Sequence, residues 1–514
     1  MTRNVLVAHT ALALLLGAAT SFAQAPAGGP AVPAAPAAPK PTLAPPPAAP
    51  GASGPDAPVG KVTQELQAKL AAMMSGSGLT ASQVAERAVK NSAQIEAKRR
   101  SIESAQAQVD QASAGFYPVL NLGASYTRLS HIDIPQLGVL AAPASQQPGP
   151  IAPGDQLVAF PLQFPIILNS YVLQARLNVP LSDYLLRTSR SVSGANRVKN
   201  ASELDQRATQ LAVARDARVA YYQWIRMQGF ALVGAQSVEQ AKGHLADSNN
   251  AFQAGLISKA DVLRAQSGVK SAELFLEKAN SNMQLATQRL RVLMKDPSTK
   301  QYEVGENILA PVAPMPNTSS EDGAFHEAAQ QRLELKMLGE NEAALRDQAA
   351  LTSAANYPRL DASAGAQYSN PNPRYFPQEN KFHSTWEAGV MLSWTPTAIF
   401  GTQAAARAIE AKAAELAAER QGMLDGLQLE VSQALSAERD AQFAVAVSQQ
   451  GLAASDEGYR VRRELFRSGK ATLVEVTDSE TELTRARLEL VNAHVDLRVA
   501  QVQLAHALGR DVGK

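Results

Sequence analysis

Few stretches of this chain carry residues spaced for chemistry. "SGKAT" (468–472) comes near a phosphate-binding loop but lacks the G-x-x-x-x-G-K-[ST] spacing that cradles a phosphate. The seven histidines are scattered, with no HExxH and no paired-ligand spacing, and His494 and His506 read as helix-surface residues. There is no G-x-S-x-G. The chain has no cysteine, which removes disulfides, thiolate metal sites, a catalytic thiol and a lipidated N-terminal cysteine together. Acids and bases are plentiful but fall at solvated-coil spacings. The reading is therefore no enzyme, no cofactor and no metal. The acids that stand out are Glu475 and Asp478, three residues apart, and by themselves they read as first-turn acids favourable to a helix dipole.

Glu475 lies within, and Asp478 directly after, a segment that the chain writes twice. "FQAGLISKADVL" begins at Phe252 and "FRSGKATLVEVT" at Phe466, an offset of 214. Gly255 and Gly469 suit a left-handed helix C-terminus, and Ser258 and Thr472 suit the N-cap of a following helix. Asp261 and Glu475 then lie in that helix's first turn. Each segment reads as the tip of a helical hairpin.

The elements around the tips are marked by proline. After Pro58, proline is absent from 59–117, 181–296, 317–357 and 397–514. Proline breaks helix interiors, so these stretches are free to be helices, in the order short, long, short, long. "ASAGFYPVLNLGASY" (112–126) aligns with "TSAANYPRLDASAGA" (352–366), and Pro180 aligns with Pro396. The chain is one unit duplicated. The first copy carries extra residues, mostly "AAPASQQPGPIAPGD" (141–155), which reads as a surface loop.

Between the markers the period becomes two. Leu120, Leu122, Ala124 and Tyr126 face one way and Asn121, Gly123 and Ser125 the other. The same alternation runs through 171–179, 360–368 and 386–394, with Trp386 and Trp394 suited to two membrane interfaces. These are the length and pattern of transmembrane barrel strands. Four such strands cannot close a pore, and an open edge in lipid leaves backbone groups unsatisfied. Spanning a membrane therefore requires strands pooled from several copies, eight in a dimer or twelve in a trimer.

The long stretches carry a heptad. Apolar positions run Val262, Ala265, Val269, Ala272, Leu276, Ala279 in the first copy and Val476, Ser479, Leu483, Ala486, Leu490, Ala493 in the second. This is a coiled-coil seam with a left-handed supercoil. The preceding arms, about 184–252 and 400–466, would each be roughly 100 Å long. The N-terminus adds an address: Arg3, the apolar run "ALALLLGAA" and Ser21-Phe22-Ala23 read as a signal peptide over 1–23. Residues 24–60, with twelve prolines, read as an Ala/Pro-rich disordered linker. The domain plan is then a first repeat at 61–296, with a β-hairpin about 119–180 and a helical hairpin about 184–295. A connector follows at 297–320. A second repeat spans 321–514, with a β-hairpin about 359–395, a helical hairpin about 400–508 and a C-terminal tail. A net charge of +1 gives no pull toward nucleic acid.

The two turns, the paired "YP" strand entries, the alternating strands and the ending "QLAHALGRDVG" together resemble the TolC-like outer-membrane efflux family over about residues 78–512. The resemblance implies a mixed α and transmembrane β fold. Its homotrimer would form a 12-stranded outer-membrane β-barrel, in contact with lipid, on a 12-helix periplasmic α-barrel. It implies the outer membrane of a Gram-negative bacterium, with a large periplasmic part. It also implies a passive exit duct for efflux or type I secretion, fed by an inner-membrane pump through a periplasmic adaptor protein. The adaptor-contact role falls on Gly255, Leu256, Ser258, Gly469 and Thr472. An acidic periplasmic constriction falls on Glu475 and Asp478. A tyrosine and an arginine that latch the closed tip in the family's best-known member correspond to Phe466 and Ala471, which lack the hydroxyl and guanidinium. Arg462, Arg463 and Arg467 stand nearby as replacements. The alternative for the residues alone is an exported periplasmic coiled-coil scaffold without a barrel.

Overall fold

The computed structural model describes residues 68–70, 72, 78–131, 139–144, 150–151, 153–161, 166–312, 315 and 320–510. The expected signal peptide and linker lie outside them. Two short helices come first, α1 (Ala81–Asn91) and α2 (Ala93–Ala114). Thr80 caps α1 in a capping box with Gln83, and Ser92 ends α1 and caps α2. Pro118 then stops the helix and β1 (Val119–Arg128) begins. It pairs antiparallel with β4 (Asn169–Val179). Between them β2 (Val139–Pro143) pairs with β3 (Leu157–Pro161). Residues 141–143 of the expected loop at 141–155 thus belong to a strand. Residues 139–143 and 157–161 are themselves apolar runs of strand length, and each meets the other as a partner.

After Pro180 the chain passes through a π-helical turn at Tyr184–Thr188 into α3 (Ser189–Gln253), which returns as α4 (Lys259–Met294). The second copy repeats the plan: α5 (Glu321–Gln331), α6 (Leu333–Ser353), β5 (Arg359–Asn370), β6 (His383–Ser393), α7 (Ile399–Arg467) and α8 (Leu473–Ala507). At 65 and 69 residues, α3 and α7 are each roughly 100 Å rods. No helix among the described residues is long and apolar enough to cross a membrane.

The four long strands form one sheet in the order β1-β4-β5-β6. Leu122 pairs with Ala175, Ala175 with Ala366, and Ala366 with Trp386, so every apolar position shares one face. That face is open: Leu122, Trp386 and Val390 are each more than two-thirds exposed.

The seam residues on α4 and α8 are buried or half-buried throughout. α3 packs on α4, α7 on α8, and α8 on α3. The main core lies where α1 meets the helical hairpins, around Trp224, Tyr221, Ile225, Leu290 and Val491. Val304 and Ile308 of the connector enter this core, and Val304 bridges Leu79. The Tyr221 hydroxyl donates to the Leu79 carbonyl at 2.5 Å, and Trp224 Nε1 to Thr287 Oγ1 at 3.0 Å. Each buried polar tip thus has its partner. His494 is also buried, at 6 % exposure, which corrects its reading as a surface residue. It sits on α8 where that helix is covered on several sides, and burial lowers its pKa. His506 is half-buried.

Candidate functional site

The two tips are built by local chemistry. At the end of α3 the Leu256 amide donates to the Ala251 carbonyl at 2.9 Å, and Gly255 takes φ +69°, closed to most side chains. Ser258 Oγ accepts from the Asp261 amide at 3.3 Å, while Asp261 Oδ2 accepts from the Ser258 amide at 3.0 Å and hydroxyl at 2.7 Å. Those bonds hold the Asp261 carboxyl below its ordinary range. At the end of α7 the Lys470 amide donates to Leu465 at 2.8 Å and Gly469 takes φ +71°. Thr472 Oγ1 then accepts from the Glu475 amide at 3.4 Å.

The fold sets the two tips side by side. Gly255, Leu256, Ser258, Gly469, Thr472 and Glu475 line one open cleft of about 810 Å³. Leu256 is 66 % exposed at its rim. Asp478 lies one turn further along α8 and is exposed. It is not part of the cleft lining. Phe466 is buried with Leu473 and Val476, and Ile257 and Ala471 pack against that core. Where the resemblance implied a tyrosine and an arginine, Phe466 and Ala471 belong to an apolar cluster.

The polar contacts between the hairpins lie further from the tips. Arg463 Nη2 is 3.2 Å and Arg467 Nη2 3.3 Å from Asp247 Oδ2, joining α7 to α3, while Arg462 is exposed. Three residues before Asp247, His244 Nε2 lies 3.0 Å from the Tyr459 hydroxyl and 3.4 Å from Glu480 Oε2. The His244 and Tyr459 rings meet edge to face at 5.6 Å. Arg487, 1 % exposed, donates to Gln240 Oε1 at 2.9 Å. Burial pushes the Glu480 carboxyl up to about 7, against the opposing pull of Arg487 and Arg463. Burial, then Arg463, pushes His244 down to about 4. Burial, then Glu480, raises Tyr459 to about 12. The arrangement ties the two hairpins together through hydrogen bonds and ion pairs between α3, α7 and α8.

Sequence reasoning reached Arg463 and Arg467 but not Asp247, His244, Tyr459 or Glu480. The signal was disagreement between the copies: at offset 214, Asp247 faces Val461, His244 faces Gly458 and Glu480 faces Gln266. Among the described residues no three metal-binding side chains gather.

Residues 84–294 and 324–510 match the model of the outer membrane efflux protein family. The fold is similar to that of the outer-membrane channel OprN, at 17 % identity and TM-score 0.68, covering 90 % of this chain and 99 % of that one. It is similar to CusC, at 15 % identity and TM-score 0.69, covering 84 % and 92 %. VceC from Vibrio cholerae follows the same path, at 17 % identity and TM-score 0.64, covering 87 % and 98 %. A comparison with curated proteins finds no match. A family match over both copies, with the doubled hairpins and the four-stranded sheet between them, places this chain in the outer membrane efflux protein family.

Proposed function

We propose that the chain is the passive exit duct of a tripartite efflux or type I secretion system, set in the outer membrane of a Gram-negative bacterium. The observation that carries this reading is the open sheet. Within the chain β1 and β6 have partners on one side only, and the apolar face is bare. In lipid each unsatisfied edge group costs several kcal/mol, and the smallest closed barrels have about eight strands. Three copies, β6 of one against β1 of the next, give twelve strands with apolar faces to lipid and polar faces to the lumen. The helical hairpins of the three copies then continue the lumen as a periplasmic tunnel of twelve helices.

Substrate enters from an inner-membrane pump through a periplasmic adaptor. The adaptor meets the tips at Gly255, Leu256, Ser258, Gly469 and Thr472. Glu475 and Asp478 form an acidic constriction at that mouth, where clustered carboxylates favour cations. Asp247 with Arg463 and Arg467, and His244 with Tyr459 and Glu480, hold the tip closed. Residues 1–23 direct export and 24–60 act as a tether. The test is the mass and membrane fraction of the native protein extracted in detergent. An outer-membrane trimer is expected. A soluble monomer or dimer would return the reading to a periplasmic scaffold.

A further inference from the structure

The segment joining β5 to β6 does not run out past the strands. It folds back over the polar face of the sheet. Asn372, 1 % exposed, donates to the His383 carbonyl at 3.0 Å and to Thr385 Oγ1 at 3.2 Å, and its Oδ1 accepts the Arg374 amide at 3.0 Å. Tyr375 stacks on His383 at 4.0 Å. On the opposite, apolar face Phe382 stacks on Tyr368 at 5.0 Å. The segment is thus pinned on both sides of the strand end, with Arg374 over the polar face.

There Arg374 meets two other charges. Its Nη1 donates to the Trp386 carbonyl at 3.0 Å and its Nη2 to Glu387 Oε2 at 2.8 Å. The other oxygen of Glu387 accepts from Arg176 Nη2 at 3.0 Å. Arg176 and Glu387 stand two strands apart, with Gly365 between them in register. A Cβ on Gly365 would lie 3.4 Å from Glu387 Cγ and 3.5 Å from Oε1, in ordinary contact, so the Glu387 side chain passes directly over Gly365. Arg176 and Arg374 are 59 % and 53 % exposed at the side chain. Each chain therefore offers two solvent-facing guanidinium groups for one carboxylate. Glu387 is four residues in from the His383 end of β6, about 13 Å along the strand. That end is the one away from the helices, because Ser393 leads through Pro396 into α7.

We propose that the β5–β6 segment narrows the duct from within. Arg374 and Arg176 there form an anion-binding site that takes carboxylate or phosphate groups of a passing solute. This rests on the reading of the polar face as the lining of a duct. Guanidinium forks match such planar or tetrahedral oxyanions. The excess positive charge is opposite in sign to the acidic pair at the tips, so a solute passing the whole duct meets the two in series.

The test uses the full-length protein in planar bilayers at about 0.1 M KCl, with tripolyphosphate added in turn to each side. Wild-type channels are expected to be blocked more strongly from one side, the barrel side, and about 1 M KCl should relieve the block. Arg374→Ser should weaken it about tenfold, Arg374→Lys should keep most of it, and Glu387→Gln should strengthen it by releasing both guanidinium groups. Equal block in wild type, Arg374→Ser and Glu387→Gln overturns the site while leaving the duct intact. Absence of any wild-type conductance overturns the duct and the site with it. Should Arg374→Ser fail to insert, the response of Glu387→Gln decides alone.

Discussion

Arg463 of α7 holds Asp247 of α3, Nη2 to Oδ2 at 3.2 Å, across the line where the two helical hairpins meet. Arg467 reaches the same oxygen at 3.3 Å. Asp247 is only 19 % exposed, and removing it leaves two part-exposed guanidinium groups without their shared carboxylate. Asp247→Ala should loosen the hairpins by about 1–3 kcal/mol, the range for removing one partner and leaving the other unsatisfied. An equilibrium between joined and parted tips then moves by about 5- to 150-fold. Single-channel recording should show larger or longer openings, with Asp247→Glu close to wild type. Unchanged openings in Asp247→Ala would mean that these ion pairs do not hold the tip.

The neighbouring cluster predicts a pH response that the wild type hides. Around it stand His244, Asp247 and Gln240 of α3, Tyr459, Arg463 and Arg467 of α7, and Glu480 and Arg487 of α8. Folding raises Glu480 from 4.5 to about 7, so its contribution is complete below 4.5 and is lost as pH rises through about 7. Folding lowers His244 from 6.5 to about 4, so its contribution is complete above 6.5 and is lost as pH falls through about 4. Between these values the slopes oppose each other. Glu480→Gln leaves His244 alone, and relative to wild type its thermal midpoint should drop on acidification from about 6.5 to 4. His244→Asn leaves Glu480 alone, and its midpoint should drop as pH rises from about 4.5 to 7. Midpoints measured by circular dichroism across this range decide it; two profiles parallel to wild type would remove the cluster as a proton sensor.

Much of this architecture is legible because it is periodic. Heptads at Val262 and Val476, alternation at Leu120 and Leu360, and proline at 118 and 358 all state their element locally. The tie between the hairpins is not periodic. Arg463 and Asp247 are separated by 216 residues and lie on different rods, so only the packed fold brings them together. His494 reads as solvated for the same reason: a histidine in a heptad helix looks exposed until the distant connector residue Ile308 packs against it. The inward β5–β6 segment depends on Asn372 capping His383 and Thr385, contacts that alternation does not encode.

The tips predict a separation between assembly and coupling. Gly255 and Gly469 hold φ near +70°, yet a Cβ at either would meet nothing within 4 Å. Space is free, so the cost of a side chain is backbone strain alone, about 1–2 kcal/mol. Gly469→Glu should therefore still fold and insert in the outer membrane, at wild-type amount by fractionation. Export should fall several-fold if the tips are the proposed adaptor contact, because a charge then stands at that contact. Wild-type export from this variant would reduce the tips to plain turns.

Glu475 and Asp478 carry charge opposite in sign to Arg374 and Arg176. On α8 Glu475 flanks the buried stripe of Leu473, Val476, Ser479 and Leu483, one turn before Ser479, while Asp478 lies on the far side, and both are exposed. Among the described residues neither forms an ion pair; gathered from three chains at a narrow mouth they would set its sign. Glu475→Gln with Asp478→Asn should move the reversal potential in a KCl gradient toward zero, or past it toward anions if the Arg374 and Arg176 site then dominates. Block by divalent cations from the tip side should weaken about tenfold, as expected when a ring of carboxylates is removed. Thr472 still caps α8 in this variant, so folding is untouched. An unchanged reversal potential together with unchanged divalent block would mean that the two acids serve only the start of the helix.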